Sequence, residues 1–270
     1  MKALRFALIG DPVAHSKSPR MQAAAFRALG LPHTYEAIRV ADGDLGRIVT
    51  ALRAGDFAGL NVTVPHKERV LALVDAVDAG ARAAGAANTL VRTAQGRVTA
   101  YNTDAPALAD EIGDLLSGIR PGGHRALVLG AGGAARAART ALAEHLGFRD
   151  VVVRARRLRE AGMQAWTPSP ESEATTLVVV QATSAGMAGA DPGDAVASVV
   201  AWDALPGDAV AIDVVYAPPV TPFLQIAGER GLRCTNGLGM LARQGALALQ
   251  LWLQREAPLD AMRAALRTPT

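Results

Sequence analysis

The chain holds a single cysteine, Cys234, in 270 residues. No disulfide can form within it and four-cysteine zinc sites are excluded; Cys234 reads as a small buried hydrophobe. Lysine is almost as scarce. Lys2, Lys17 and Lys67 are the only three, so arginine supplies 25 of the 28 basic residues. Aromatic residues make up 4% of the chain while half of it is hydrophobic, which predicts an aliphatic core of Ala, Val and Leu. No apolar run approaches the ~18 residues of a membrane span. The first residues, Met1 to Phe6, run straight into a strand and lack the length and cleavage pattern of a signal peptide. The expectation is a soluble, cytoplasmic protein. The five histidines (His15, His33, His66, His124, His145) show no metal-ligand spacing, so no metal is expected. The net charge of +3 is slight, and no basic block is interleaved with aromatics, which argues against a nucleic-acid partner.

What is present is an alternation of strand-like and helix-like segments, the pattern of an α/β protein with parallel strands. The length suits two domains. Strands are expected at 5–9, 34–40 and 60–64, with helices at 19–29 and 45–54. Ser18 reads as an N-cap before Pro19, and Gly30 as a helix stop. Segments 87–92 and 97–101 flank Gly96 and read as a hairpin. A connecting helix over 105–116 and a Pro-Gly-Gly loop precede a second unit: strand 126–129, turn 130–133, helix 134–146 and strand 151–154. Apolar strands at 177–180 and 210–214 follow, then strongly apolar helices at 238–253 and 259–266. The predicted domains are 1–104, 105–237 and a helical tail, 238–270, packing back on the first.

The stretch Asn61-Val62-Thr63-Val64-Pro65-His66-Lys67 organises the first half. It alternates polar and apolar residues as a strand does, and Pro65, without an N–H, ends the pairing. Polar strand ends are where α/β proteins build sites. In a chain whose cations are nearly all arginine, Lys67 stands out, because lysine can release a proton and arginine cannot. Asn88-Thr89 and Asn102-Thr103-Asp104 flank the hairpin; each Asn is either a turn residue or part of one polar pocket with Asn61, Thr63 and Lys67. An amine and a carboxylate facing one another can pass a proton to or from a substrate hydroxyl. Ser16 and Ser18, beside a helix start, serve either as capping residues or as a carboxylate seat.

In the second half, Gly130-Ala131-Gly132-Gly133-Ala134-Ala135 joins a strand to a helix. Small residues there let a pyrophosphate approach backbone N–H groups at the helix N-terminus. A tight turn and an S-adenosylmethionine site are the alternatives. The next strand ends in Arg154-Ala155-Arg156-Arg157-Leu158-Arg159, where an NAD site would place a carboxylate. Clustered guanidinium groups suit the 2′-phosphate of NADP, or else a solvated helix start.

The runs 9–19, 59–67, 85–90, 102–104, 130–135, 213–218 with Thr221-Pro222, and 236–241 with Gln244-Gly245 occur in the same order and spacing in one family. Over nearly its whole length the chain resembles shikimate dehydrogenase. The resemblance implies an N-terminal α/β substrate domain with a mixed, mainly parallel sheet, a Rossmann-like NADP-binding domain, final helices that return to the first domain, and an active site in the cleft between them. It implies reversible NADPH-dependent reduction of 3-dehydroshikimate to shikimate, on the route to chorismate and the aromatic amino acids, by a monomer or homodimer. Carried over by position, Lys67 and Asp104 are the catalytic pair. Ser16, Ser18, Thr63, Asn88, Asp104, Tyr216 and Gln244 contact the substrate. Gly130, Ala131, Gly132, Gly133 and Ala134 cradle the pyrophosphate, Arg159 matches a family arginine at the 2′-phosphate with Arg154 or Arg156 substituting for the one absent at Ala155, and Thr183, Val214 and Gly237 lie near the cofactor.

The chain departs from the family in four places. Ala155 stands where the phosphate-binding arginine is usual, Gln181 replaces an Asn, Gln22 replaces a His, and Ala107 replaces a Gly. Two rival readings follow. One is a quinate/shikimate dehydrogenase using NAD, from which Ser18 and the arginine cluster point away. The other is a non-catalytic regulator that binds pathway metabolites, which would have no need to keep both Lys67 and Asp104.

Overall fold

Phe6-Ala7-Leu8-Ile9 is an unbroken apolar run and each of its residues is buried, as expected of a parallel strand covered on both faces. It forms the middle of β1 (Arg5–Gly10). The structure is a computed structural model describing residues 2–158, 161–187 and 189–267. The chain divides into two units, Met1–Ala107 with Leu241–Thr270, and Leu108–Met240.

In the first unit β1 leads to α1 (Ser18–Ala28), β2 (Thr34–Arg39), α2 (Leu45–Ala54), β3 (Gly59–Val62), β4 (Ala76–Val77), α3 (Ala79–Ala84), β5 (Thr89–Arg92) and β6 (Val98–Tyr101). The six strands form one sheet in the order β2-β1-β3-β5-β6-β4. β1 is parallel to β2 and β3, whereas β5 runs antiparallel to both β3 and β6. The hairpin closes as the sequence indicated: Gly96 takes a positive φ of 81°, and the Thr93 N–H donates to the Arg97 carbonyl at 2.8 Å. Ile9, Leu52, Leu60, Val62 and Leu90 belong to an aliphatic core.

Two local expectations are corrected. Ser18 does not cap α1; it is the first helical residue, with Lys17 in the cap position and no side-chain cap bond. The Ser16 hydroxyl instead accepts from the Ser18 N–H at 3.2 Å. β3 ends at Val62, earlier than Pro65 required. The chain peels away gradually: the Thr63 N–H still donates to the Ile9 carbonyl, and the Val64 carbonyl still accepts from the Asp11 N–H, both at 2.9 Å. The Val64–Pro65 bond is cis.

α4 (Asp104–Leu116) starts in the first unit and from Leu108 belongs to the second, followed there by β7 (Arg125–Leu129), α5 (Gly133–Thr140), β8 (Asp150–Arg154), α6 (Pro170–Glu173), β9 (Thr176–Gln181), α7 (Asp194–Ala197), β10 (Val210–Asp213), α8 (Pro222–Glu229) and β11 (Arg233–Asn236). The helix expected over 134–146 is α5 continued by a π-helical segment, Ala141–His145. The five strands form an all-parallel sheet, β11-β10-β9-β7-β8. β7 is its first strand in sequence, flanked by β8 on one side and β9 on the other. That is the topological switch point of a doubly wound, Rossmann-like sheet, where ligands bind at the carboxyl ends of the strands. Leu127, Val179, Ala211 and Phe223 lie in the core of this unit.

α9 (Leu238–Leu253) and α10 (Leu259–Arg267) end the chain, and from Leu241 onward they belong to the first unit. There Trp252 packs its ring 4.9 Å from Phe6 and donates its indole N–H to the Leu90 carbonyl at 3.0 Å. A side chain at Gly59 would overlap that indole, so glycine is required at the start of β3.

Candidate active site

The first-unit site begins where β3 and β5 face one another with polar residues. Asn61, on β3, is buried at 5% exposure. Its amide donates to the Asn88 carbonyl and to the Thr89 hydroxyl, each at 3.0 Å, and its oxygen accepts from the Tyr35 hydroxyl at 2.7 Å. Desolvation pushes the Tyr35 phenol well above its usual range, so it stays a donor. All of the Asn61 side chain is thus committed inside the sheet, which makes it a wall of the pocket.

Asn88 is the hub. Its side-chain oxygen accepts from the Thr103 N–H at 2.7 Å. Its amide nitrogen faces the Thr103 hydroxyl at 2.9 Å, Asp104 Oδ1 at 2.8 Å and Gln244 Oε1 at 3.3 Å. Asp104 is the first residue of α4, where the helix dipole complements its negative charge. The Asn102 side chain holds that end, accepting from the Ala105 N–H at 2.9 Å and donating to the Ala86 carbonyl at 2.8 Å. The other carboxylate oxygen, Oδ2, accepts from Lys67 Nζ at 2.7 Å. The Lys67 side chain keeps 15% exposure and the Asp104 side chain 6%, so the pair is largely shielded yet reachable.

Five sequence-predicted residues therefore meet in one bonded network: Asn61, Lys67, Asn88, Asp104 and Gln244. Thr63 lies beside Gly10, where an added side chain would strike the Thr63 methyl and the Val64 carbonyl. The loop bearing Ser16 departs from that same Gly10, and α1, which begins at Ser18, is tied to α9 by the Gln22 amide, which donates to the Gly245 carbonyl at 3.0 Å. Thr89 and Thr103, from the runs flanking the hairpin, join the network, and so does Tyr35, which belongs to none of the sequence motifs. Tyr35 is the one buried position of β2, an aromatic among mostly exposed polar neighbours, and that signal is legible.

In the second unit, Gly130 follows β7 with a φ of 128°, and an added Cβ would sit 3.0 Å from the Ala182 carbonyl and 3.1 Å from the Thr183 methyl. Only glycine fits. A Cβ at Gly132 would meet open space, and α5 starts directly after it with its N–H groups unsatisfied by any capping side chain. This cradle fits a pyrophosphate. Gln181 shapes the neighbouring loop: its oxygen accepts from the Thr183 N–H, and its amide donates to the Ala185 carbonyl at 3.0 Å and to Asp213 Oδ1 at 3.1 Å. The longer side chain that replaces the family's Asn is thereby fully used. Val214 and Gly237 are neighbours; a Cβ at Gly237 would overlap the Val214 carbonyl. Tyr216 lies in this unit, just before a cis Ala217–Pro218 bond.

The arginine cluster needs a correction. Arg154, the last residue of β8, is 1% exposed. Its two terminal nitrogens bind Glu173 Oε1 at 2.6 Å and Oε2 at 3.0 Å, and Nη1 also donates to the Val199 carbonyl at 3.1 Å. It is consumed internally and is removed from the phosphate-binding set. Burial would raise the Glu173 pKa, but the Arg154 guanidinium and the Ala201 and Ser169 N–H groups outweigh it and hold the carboxyl below its usual range. Ala155 is buried as well. Arg156 is exposed and makes one 3.3 Å contact with Asp191, leaving it the described cation of the predicted set that can turn to a phosphate. Arg159 lies outside the described residues. Among those residues no cluster of His, Cys, Asp and Glu could hold a metal, and no helix is long and apolar enough to cross a membrane.

Comparison with known proteins gives one consistent family. Residues 8–90 match the shikimate dehydrogenase substrate binding domain, and residues 237–267 match the shikimate 5′-dehydrogenase C-terminal domain. A shikimate dehydrogenase (NADP(+)) of Anaeromyxobacter sp. (strain Fw109-5) is 42% identical, over 98% of this chain and 96% of its own. The shikimate 5-dehydrogenase of Thermus thermophilus, solved in complex with NADP(H) and shikimate, is 39% identical, covers 98% of both chains and superposes with a TM-score of 0.84. A quinate dehydrogenase from Corynebacterium glutamicum, solved in complex with NAD, is 28% identical with a TM-score of 0.82 over 98% of both chains. With identities of this order over nearly the full length of both chains, the chain belongs to the shikimate dehydrogenase family.

Proposed function

We propose that this protein catalyses the reversible NADPH-dependent reduction of 3-dehydroshikimate to shikimate, with Lys67 and Asp104 as the catalytic pair. The observation that carries the reading is the 2.7 Å Lys67–Asp104 contact held inside the Asn88–Gln244 network. NADPH, when bound, supplies the hydride. The substrate carbonyl oxygen gains negative charge as the hydride arrives, and a protonated Lys67 beside it stabilises that charge and delivers a proton. Asp104 orients the ammonium and receives a hydrogen bond from the new hydroxyl. Because Asn88 fixes the other carboxylate oxygen, Asp104 is held ready without reorganising. That preorganisation is worth more in a shielded site than it would be in water.

Ser16, Ser18, Thr63, Asn88 and Gln244 are proposed as substrate contacts. The two serines and the N-terminal turn of α1 supply donors for a carboxylate, whereas the amide and hydroxyl groups match ring hydroxyls. Gly130 to Ala134 with the start of α5 would hold the pyrophosphate, and Arg156 would face the 2′-phosphate. Thr183, Val214 and Gly237 would border the cofactor. Purified protein assayed with shikimate or quinate, each with NADP or NAD, tests the reading. Shikimate with NADP is the expected best pair. If quinate with NAD gives the highest kcat/KM, the chain is instead a quinate dehydrogenase.

A further inference from the structure

His66 precedes Lys67 and has no part in the chemistry proposed above, yet it is completely buried. Burying an imidazole is unfavourable unless its polar atoms are used. One is: Nε2 lies 2.7 Å from the Val40 carbonyl, just beyond β2. A carbonyl oxygen only accepts, so Nε2 carries the hydrogen. The other, Nδ1, makes no hydrogen bond and lies 3.6 Å from Asp42 Oδ1, whose partner oxygen is held by Arg69 at 2.6 Å. The backbone on either side is fixed too. The His66 N–H donates to the Thr63 carbonyl and the Val70 N–H to the His66 carbonyl, both at 2.9 Å, and the Lys67 carbonyl accepts from the Ala87 N–H at 2.8 Å.

These bonds converge on the residue that must aim an amine. β3 ends at Val62, and the last bonds from this stretch to the β1 side, at Thr63 and Val64, come before the chain reaches Pro65. The Nε2–Val40 bond ties the turn that follows to the β2 side of the sheet. The Lys67 carbonyl ties it to the β5 side. Between two such anchors the Lys67 Cα has little freedom, and its side chain reaches Asp104 from a fixed origin.

We propose that His66 is a positioning residue: its hydrogen bond to Val40 sets where Lys67 starts, and so where its ammonium meets the substrate oxygen. The role rests on the reading of Lys67 as the catalytic amine. Misplacing a reacting group by about 1 Å costs on the order of 10²-fold in rate without necessarily changing binding.

The test exploits side-chain reach. The amide nitrogen of Gln lies four bonds from Cα, as His Nε2 does, whereas that of Asn lies three. Shikimate oxidation is measured for wild type, His66→Gln, His66→Asn, His66→Leu and Lys67→Ala, with thermal unfolding of each. The expectation is that His66→Gln keeps kcat within about threefold of wild type, whereas folded His66→Asn and His66→Leu lose more than about tenfold in kcat with a KM change under about threefold. A purely structural role would lower the unfolding temperature and leave the kcat of the folded fraction intact. Should His66→Leu fail to fold, the Gln–Asn comparison decides alone. Equal kcat for Gln and Asn, or wild-type kcat in folded His66→Leu, overturns the proposal. If Lys67→Ala turns over normally, the underlying reading falls and takes this one with it; a crippled Lys67→Ala beside unimpaired His66 variants sinks the positioning role only.

Discussion

Arg154 and Arg156 stand two residues apart and do opposite work. Arg154 closes a bidentate pair with Glu173 in the interior, and Arg156 stays in solvent. The sequence offered a cluster of cations at the end of β8 without showing which of them had a partner. That information sits 19 positions downstream in Glu173, and no local pattern reports it. The two are separable by experiment. Arg154→Ala leaves Glu173 buried without its cation, which costs about 3–5 kcal/mol; urea unfolding should show that loss, with the NADP-over-NAD ratio of kcat/KM unchanged in the folded protein. Arg156→Ala should do the reverse: stability moves by less than about 1 kcal/mol, because exposed pairs contribute little, while KM for NADP rises and that for NAD does not. Unchanged discrimination in Arg156→Ala would move the 2′-phosphate to another cation.

Strands and helices were legible where their apolar pattern was long. The spans of α2 and of α9 match the expectation residue for residue. β4, α3 and β11 were not read, since two to six residues carry too little periodicity to rise above their turns. Turn chemistry was the weaker guide: Ser18 looked like a cap, and the capping position fell to Lys17. The junction of β10 and α8 shows what such reading misses. Asp213 is fully buried, accepting from the Thr221 hydroxyl, from the Val215 N–H at 2.8 Å and from the Gln181 amide. Burial pushes its pKa up to about 6, against the pull of those three donors. The folded protein therefore binds more protons than the unfolded chain from about pH 4 to about pH 6, and stability falls as pH rises through that window. A shift of this size corresponds to about 3 kcal/mol. Asp213→Asn keeps an acceptor and removes the titration. Chemical unfolding of both proteins between pH 4 and pH 7 should show wild type losing up to that amount relative to the variant, with the difference constant above about pH 6.5. Parallel curves would mean that Asp213 titrates alike folded and unfolded.

The two units differ in how the chain builds them. The second is one continuous stretch, Leu108–Met240, while the first needs both ends of the sequence. The first unit's reliance on its last thirty residues can be judged from burial. Leu249 and Met262 are 0% exposed and Leu266 is 3%, and Trp252 lies against Phe6 and Tyr35. Removing the burial of three such aliphatic side chains alone forfeits on the order of 5 kcal/mol, against total domain stabilities of about 5–15 kcal/mol. It would also strip the Gln22 amide and the Leu90 carbonyl of their partners. A fragment of residues 1–107 should therefore show no cooperative thermal transition by circular dichroism. Residues 108–240, with a complete parallel sheet and its own core, should unfold cooperatively and quench or shift NADPH fluorescence on titration. Adding a peptide of residues 241–270 to the first fragment should restore a transition, because the missing helices supply apolar contacts and not a covalent constraint. A cooperative melt of residues 1–107 by themselves would show that the six-stranded sheet is self-sufficient and that α9 and α10 only cover it.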